Sequence, residues 1–405
     1  MKIPEYIRAV TDSALQEAIE IFHSDPDSIY ASELERRQLK YKDKPKTNKW
    51  KTNKQCSYEL CDQKSIENSH SIQKSNSIAL IEENGHVLSP KFNNDREVLE
   101  MVPKGINQAS TFPGFCLHHE NLFNEFEIKK DLTDQKHFVL QIYRSICRDL
   151  VDSQNNLNDL DREMKVYINF RDEKLNEMVI QKIGKDFMEF YQISNYNIKL
   201  EQGDRMEIAM KKAMVNLKKY VESLEKLKRA ISNDVEKGRF QKIFCYPIEI
   251  GFEMPVAISG KGNFMIETKN KKKFVEMVYN VLPQKGKTYI VMCGHKKHTK
   301  FIRMYAKQFR HPLQFISLIE RWMVHGSDNW YIKPSVWNLL DENRKKYIIS
   351  SIQSISYGIG SEFKHSILDE LRKEYLELAV KYEDNFDYGM IEFISKERNK
   401  FKLPE

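Results

Sequence analysis

Four residues stand out for the chemistry that their types and spacing allow. Cys56 and Cys61 form a C-x4-C pair in the polar turn QCSYELCD, and Cys116 and His119 form a C-x2-H pair opening an apparent helix, FCLHHENLFNEFE. Three thiolates and an imidazole suit tetrahedral Zn2+, and the soft sulfur ligands favour it over Mg2+ or Ca2+. A pair in a turn joined to a pair at a helix start is the treble-clef arrangement, in which the metal staples a small polar domain. Residues 62–115 separate the pairs, so folding must bring them together. His118 adjoins His119. The x2 spacing from Cys116 favours His119 as ligand, and a change of register would exchange the two.

Between the pairs runs ENSHSIQKSNSIALIEENGHVLSP. A neutral imidazole such as that of His70 can take a proton from water near pH 7. With Ser69-His70-Ser71-Ile72 after the first pair and Cys116-x2-His119-Glu120 at the second, residues 55–130 resemble the HNH, or ββα-metal, endonuclease superfamily. That family sets a histidine on a strand in a pattern like D-H-I-x-P, an asparagine or histidine on a following loop, and a last residue just after the second zinc pair. The resemblance implies phosphodiester hydrolysis, with His70 as general base. It implies Glu120, together with His118, as holder of a catalytic Mg2+ or Mn2+, and Asn107, in KGINQAST, as the residue orienting His70. A bound cation would offset charge as the bond breaks. Three positions depart from the family: Ser69 replaces an acidic residue, Gln73-Lys74 stands where a proline is usual, and Glu120 replaces a histidine, although a carboxylate is an acceptable ligand for a hard cation. On the residues alone, Asn107 is equally a turn residue after Gly105, and His70 equally a strand histidine that props the zinc module.

The charge pattern points the same way. The chain has 405 residues and a formal net charge of +7. Much of the excess falls in LKYKDKPKTNKWKTNK, where Lys46, Lys49, Lys51 and Lys54 flank Trp50. Lysines so spaced, with Lys74 further on, can neutralise phosphates while the indole stacks on a base. The plainer reading of the segment is a solvated linker. A second basic run, CGHKKHTK around Cys293, His295 and His298, follows a strand-like stretch and reads as a phosphate-contacting loop more than a metal site. No phosphate-binding G-x-x-x-x-G-K-[ST] loop, strand-borne G-x-G-x-x-G or G-x-S-x-G elbow is present, and Gly260 and Gly262 run into another strand.

These residues need elements to hold them. Residues 1–54 read as two short helices and the lysine-rich linker, and 55–130 as strands and turns punctuated by Gly and Pro. Residues 131–238 read as helical. The clearest stretch runs from Asp204 to Lys237, where Met206, Met210, Met214, Leu217, Val221, Leu224, Leu227, Ile231 and Val235 recur at steps of three or four before Gly238. Residues 239–405 read as strands (KIFCYPIEIGF, PVAISGKGNFMIE, KTYIVMCG) followed by helices. The expected class is α+β: a small treble-clef zinc module, a helical middle with a long antiparallel helix and a mixed C-terminal module. Cys147 and Cys245 read as buried small hydrophobes. No apolar run reaches a membrane span and the first residues lack a signal-peptide pattern, so the expected location is the cytoplasm.

Two functions follow as expectations. One is a metal-dependent endonuclease acting on DNA or RNA, in an architecture similar to bacterial anti-phage or restriction-associated effectors. The other is a non-catalytic zinc finger that binds nucleic acid or protein. A homodimer through the apolar seam of 204–236 would suit a scaffold.

Overall fold

The computed structural model describes residues 54–93, 96, 98–184, 205–268, 271–353, 363–382 and 386–401, with isolated positions between 5 and 20 and at 189–190. The described positions between 5 and 20 are helical. The rest of 1–53, including Lys46, Lys49, Trp50 and Lys51, lies outside the described residues. Contacts divide the chain into two units, Met1–Lys49 with Asp152–Ser223 and Trp50–Val151 with Leu224–Glu405.

The larger unit opens with the Cys56–Cys61 turn. It continues through β1 (Ser69–His70), a π-turn at Lys74–Ile78, β2 (His86–Asn93), β3 (Val98–Gly105), β4 (Thr111–Phe112) and the short helices α1 (Leu117–Glu120) and α2 (Asn124–Lys129). Two long helices follow, α3 (Gln135–Ile183) and α4 (Arg205–Glu236), of which the larger unit holds only the start of α3, to Val151, and the end of α4, from Leu224; then come the strands β5 (Ile243–Ile250), β6 (Val256–Thr268), β7 (Lys271–Gln284) and β8 (Lys287–His295). Helices α5 (Thr299–Ala306) and α6 (Pro312–His325), strand β9 (Trp330–Ile332), and helices α7 (Pro334–Asn338), α8 (Glu342–Gln353), α9 (Asp369–Lys381) and α10 (Tyr388–Arg398) complete it. The architecture is α+β, as the sequence leads one to expect. Among the described residues no helix is long and apolar enough to cross a membrane.

Seven strands form one antiparallel sheet in the order β3-β2-β9-β6-β7-β8-β5. β9 is the join: Ile332 lies opposite Leu88 of β2 on one side and Val256 of β6 on the other. Segments 55–130 and 239–405, read from sequence as separate modules, therefore share a sheet. The reason is that three fully buried residues, Trp330, Tyr331 and Ile332, suffice to bridge two hairpins, and so short a strand leaves no periodicity to read.

Alternation along the strands gives the sheet two buried faces. Ile258, Met277, Tyr279, Ile290 and Met292 join the core made by Ile316, Ile319, Trp322 and Met323 of α6. There Tyr279 stacks on Trp322 with ring centroids 4.0 Å apart. Gly260 serves this packing, since a Cβ there would stand 2.8 Å from the Tyr279 ring; it is not part of a nucleotide loop. The other face meets the first half of α3: Phe138 packs edge-on to Tyr289 at 5.0 Å and Ser145 hydrogen-bonds Asn280 at 3.1 Å. Cys147 of α3 is buried, and so is Cys245 of β5, which lies opposite Cys293.

Helix α4 ends as its sequence indicates. Gly238 adopts φ +60°, and Arg239 N–H closes on the Asp234 carbonyl at 3.1 Å. Its seam is buried within the chain at Leu224, Leu227 and Ile231 and becomes exposed toward Met206. In the smaller unit, Arg171 of α3 pairs with Glu207 of α4 beside the buried Leu175 and Val179.

Candidate metal centre

The turn that presents the first two thiols depends on Leu60 at φ +59° and on a hydrogen bond from Cys61 N–H to the Tyr58 carbonyl, 3.3 Å. Cys116 caps α1, and its own N–H donates to Cys56 Sγ at 3.2 Å. One helical turn on, His119 Nδ1 lies 3.2 Å from Cys116 Sγ and 3.5 Å from Cys56 Sγ, while Cys61 and Cys116 Sγ are 4.0 Å apart. All four ligand atoms lie within 4.8 Å of one another. A tetrahedron with metal–sulfur bonds of about 2.3 Å has edges of about 3.8 Å, so the set fits a closed four-coordinate centre such as zinc. Cys56 and Cys116 are buried, and burial is the main cause that pushes the Cys56 thiol up to about 12. A cation held at the centre would supply the charge that favours its thiolate. The His119 ring stacks on Tyr58 at 4.0 Å. His118 is exposed, so the x2 register is the one adopted.

Next to this centre, β1 pairs with β4, Ser69 opposite Phe112 and His70 opposite Thr111, and the chain then enters α1. Two strands and a helix thus carry the residues singled out from sequence, but they hold one another in an unexpected way. Ser69 Oγ donates to Glu120 Oε2 at 2.9 Å and accepts from Phe115 N–H at 3.0 Å. Arg144, brought in by α3 and almost fully buried, places its guanidinium 3.6 Å from Glu120 Oε1 and 2.6 Å from Glu127 Oε1. Ser75 binds the other Glu127 oxygen through its N–H, 3.2 Å, and its hydroxyl, 2.7 Å. Burial raises the Glu120 carboxyl above its ordinary range, against the pull of Arg144 and Ser69. Burial also pushes Glu127 up, but the Arg144 charge and hydrogen bond, with Ser75, outweigh it and hold that carboxyl low.

His70 Nδ1 sits 3.0 Å from the Ala109 carbonyl and 3.3 Å from Ser110 Oγ. The carbonyl accepts, so the proton is on Nδ1 and the Nε2 lone pair is left without a hydrogen-bond partner among the described residues. Asn107 does not orient this ring. It is exposed, and its amide oxygen accepts from Lys74 Nζ at 2.6 Å; the Ala109 backbone takes the orienting place instead. His118, Glu120 and His70 do not fall into any convergent ligand group among the described residues. Where the resemblance implies a divalent cation, the Glu120 carboxylate faces the Arg144 guanidinium.

Burial first, and then the Arg144 charge, lower His70 from 6.5 to about 4. The unfolded chain therefore takes up this proton before the folded one does. The associated stability is fully present above about pH 6.5 and is lost as pH falls toward 4. Between pH 7.5 and pH 5, urea unfolding of the wild type is expected to lose about 2 kcal/mol more than that of His70→Asn. Equal losses would contradict this placement of the ring.

Sequence reasoning missed Arg144, Glu127 and the Ala109 carbonyl. A signal was present: His137, Gln141 and Arg144 recur at helical spacing inside an apolar stretch, and all three are buried. Gln141 Nε2 ties the stripe to the Ser71 carbonyl at 2.7 Å. A second ligand-like group, Glu125, Asp134 and His137, is a poor metal site, because His137 Nδ1 accepts from Thr133 N–H at 3.3 Å and the ring proton is then on Nε2, between the carboxylates. Of the residues expected at nucleic acid, Lys54 and Lys74 flank the centre in sequence and are described, whereas Lys46, Lys49, Trp50 and Lys51 are not. Comparison of the chain with protein-family models, curated proteins and solved structures finds no match to any of them.

Proposed function

We propose that this chain is a zinc-stapled nucleic-acid-binding protein whose module at 55–130, similar to HNH endonucleases, grips a strand without cutting it. The observation that carries the reading is the pairing of Glu120 with Ser69 and Arg144. By resemblance, positions 69 and 120 would share a divalent cation, and here a guanidinium supplies the positive charge. Zinc at Cys56, Cys61, Cys116 and His119 then serves the fold alone. The lysine-rich segment ending at Lys54, with Trp50 within it, leads directly into the first zinc pair and supplies phosphate contacts and a stacking ring.

One observation favours a second reading, phosphodiester hydrolysis. The His70 ring is anchored at Nδ1, is neutral at pH 7 and keeps an Nε2 lone pair for a water proton.

The two readings separate in one assay. Labelled DNA and RNA are incubated with zinc-loaded protein in Mg2+ or Mn2+, and binding and cleavage are followed together. Micromolar or tighter binding of intact strands is expected, weakened severalfold when Lys46, Lys49 and Lys51 are changed to glutamine and unaffected by His70→Ala. Cleavage that His70→Ala abolishes would replace the first reading with the second. Absence of both binding and cleavage would remove both.

A further inference from the structure

Away from the metal centre, the larger unit holds a cleft of about 460 Å3 lined by Lys226, Arg229, Lys242, His295, Lys296 and Lys297, together with Ala230 and Asn233. Its cations come from three places in the chain: one face of α4, the entry to β5, and the turn after β8. No carboxylate lines it. Arg229 is shared with Glu59 and Glu225 at its edge, each 3.7 Å away, but Lys226, Lys242, Lys296 and Lys297 make no ion pair among the described residues.

The convergence is built into the fold. Asp234, buried on α4, accepts hydrogen bonds from the N–H groups of Lys242, 2.8 Å, and Ile243, 3.1 Å, which fixes the start of β5 against the helix. The Lys242 carbonyl accepts in turn from Lys296 N–H at 2.9 Å, which fixes the turn. Lys296 Nζ also lies over the Phe244 ring at 6.0 Å. Buried scaffolding therefore gathers five positive side chains around a concave surface that no carboxylate lines, with Glu59 and Glu225 meeting Arg229 at its edge. Like charges held within a Debye length repel one another, and an arrangement that holds them there is satisfied by a multiply charged anion. Burial, then the charge on Lys297, holds His295 below its ordinary range, with Lys261 and Lys226 adding to the effect and Glu276 opposing it.

We propose that this cleft binds consecutive phosphate groups, supplied either by a nucleic-acid strand or by a nucleoside triphosphate. The proposal stands apart from the reading of residues 55–130, because none of those residues lines the cleft.

The test uses full-length zinc-loaded protein. Binding of ATP is measured by calorimetry and binding of a labelled single-stranded oligonucleotide by fluorescence anisotropy. The variants are Lys226→Glu, on the helix, and the pair Lys296→Glu with Lys297→Glu, on the turn; Lys285→Glu, exposed on the β7–β8 turn, is the control. All three altered cleft lysines are exposed, so zinc content and melting temperature are expected to be unchanged. At least tenfold weaker binding of one ligand or both in each cleft variant, with the control within twofold of wild type, supports the proposal. The ligand that responds names the source of the phosphates. If the oligonucleotide responds, the turn variant should also lower the salt slope by about two. Binding of both ligands within twofold of wild type in both cleft variants, or no binding of either ligand by the wild type, overturns it.

Discussion

Replacing Cys116 with alanine is expected to strip one zinc from each chain and to unfold the segment around it. Cys116 does three things at once. Its N–H donates to Cys56 Sγ and its carbonyl accepts the Glu120 N–H at 2.9 Å, and alanine keeps both; what the substitution removes is the sulfur that faces Cys61 and His119 across the centre. The surrounding core is thin. Phe112, Phe115, Phe123 and Phe126 are fully buried, but so are Ser69, Ser71, Gln73 and Ser77, which contribute hydrogen bonds in place of apolar burial. For a small module of this kind, metal binding and folding are one process, and apparent zinc binding contributes roughly 10–16 kcal/mol in isolated finger peptides. Here the shared sheet supports the module, and a loss on the order of 5 kcal/mol is expected. Native mass spectrometry gives the zinc count, and limited proteolysis with urea titration locates the loosening. Cys147→Ala is the matched control: that thiol is buried on α3 itself and takes no part in the centre, so zinc should stay and the cost should be that of a small cavity. A zinc-free Cys116→Ala protein with an unchanged proteolytic pattern would contradict the stapling role.

The second large effect is expected at Arg144. Changing it to methionine keeps the side-chain length but leaves Glu120 and Glu127 as partly buried charges without their cation. Breaking a buried ion pair from one side costs about 3–5 kcal/mol, chiefly because the remaining charge is uncompensated. The pH dependence identifies the cause. Without the guanidinium both carboxyls rise above their unfolded values, so the folded variant binds protons more readily than the unfolded chain. Its deficit relative to wild type is therefore largest at neutral pH and shrinks as pH falls toward 5. The triple variant Arg144→Met, Glu120→Gln, Glu127→Gln should recover much of the loss. A deficit that is the same at pH 7 and pH 5 would mean that packing on Phe123, over which the guanidinium sits at 4.6 Å, matters more than charge.

The parts of this molecule that follow from local rules were readable in the sequence. The C-x4-C and C-x2-H pairs meet as their spacing implies, because each pair needs only a tight turn or one helical turn to present its ligands. The limits of α4 followed from apolar steps of three and four and a closing glycine, and three strands of the large sheet followed from β-branched and aromatic runs. What was hidden depends on distant partners. Nothing near Leu88 reveals that it pairs with Ile332. The partner of Glu120 lies 24 positions away on α3, and it sets a guanidinium where the resemblance implies a metal cation. Asn107 illustrates the same limit: its sequence position fitted an orienting role, yet its distance from His70 in the fold is decided by the turn that leads into β4, and Lys74 takes its oxygen.

On the proposed reading, residues 69, 120 and 144 leave no place for a catalytic cation beside the Cys56–Cys61–Cys116–His119 metal centre. Titration of zinc-loaded protein with Mn2+, followed by electron paramagnetic resonance, tests it most directly. The expected result is no Mn2+ bound below millimolar concentration in the wild type, and no change when Glu120 is replaced by glutamine. A micromolar Mn2+ site in the wild type that Glu120→Gln removes would contradict the claim and restore a metal-dependent nuclease at this position.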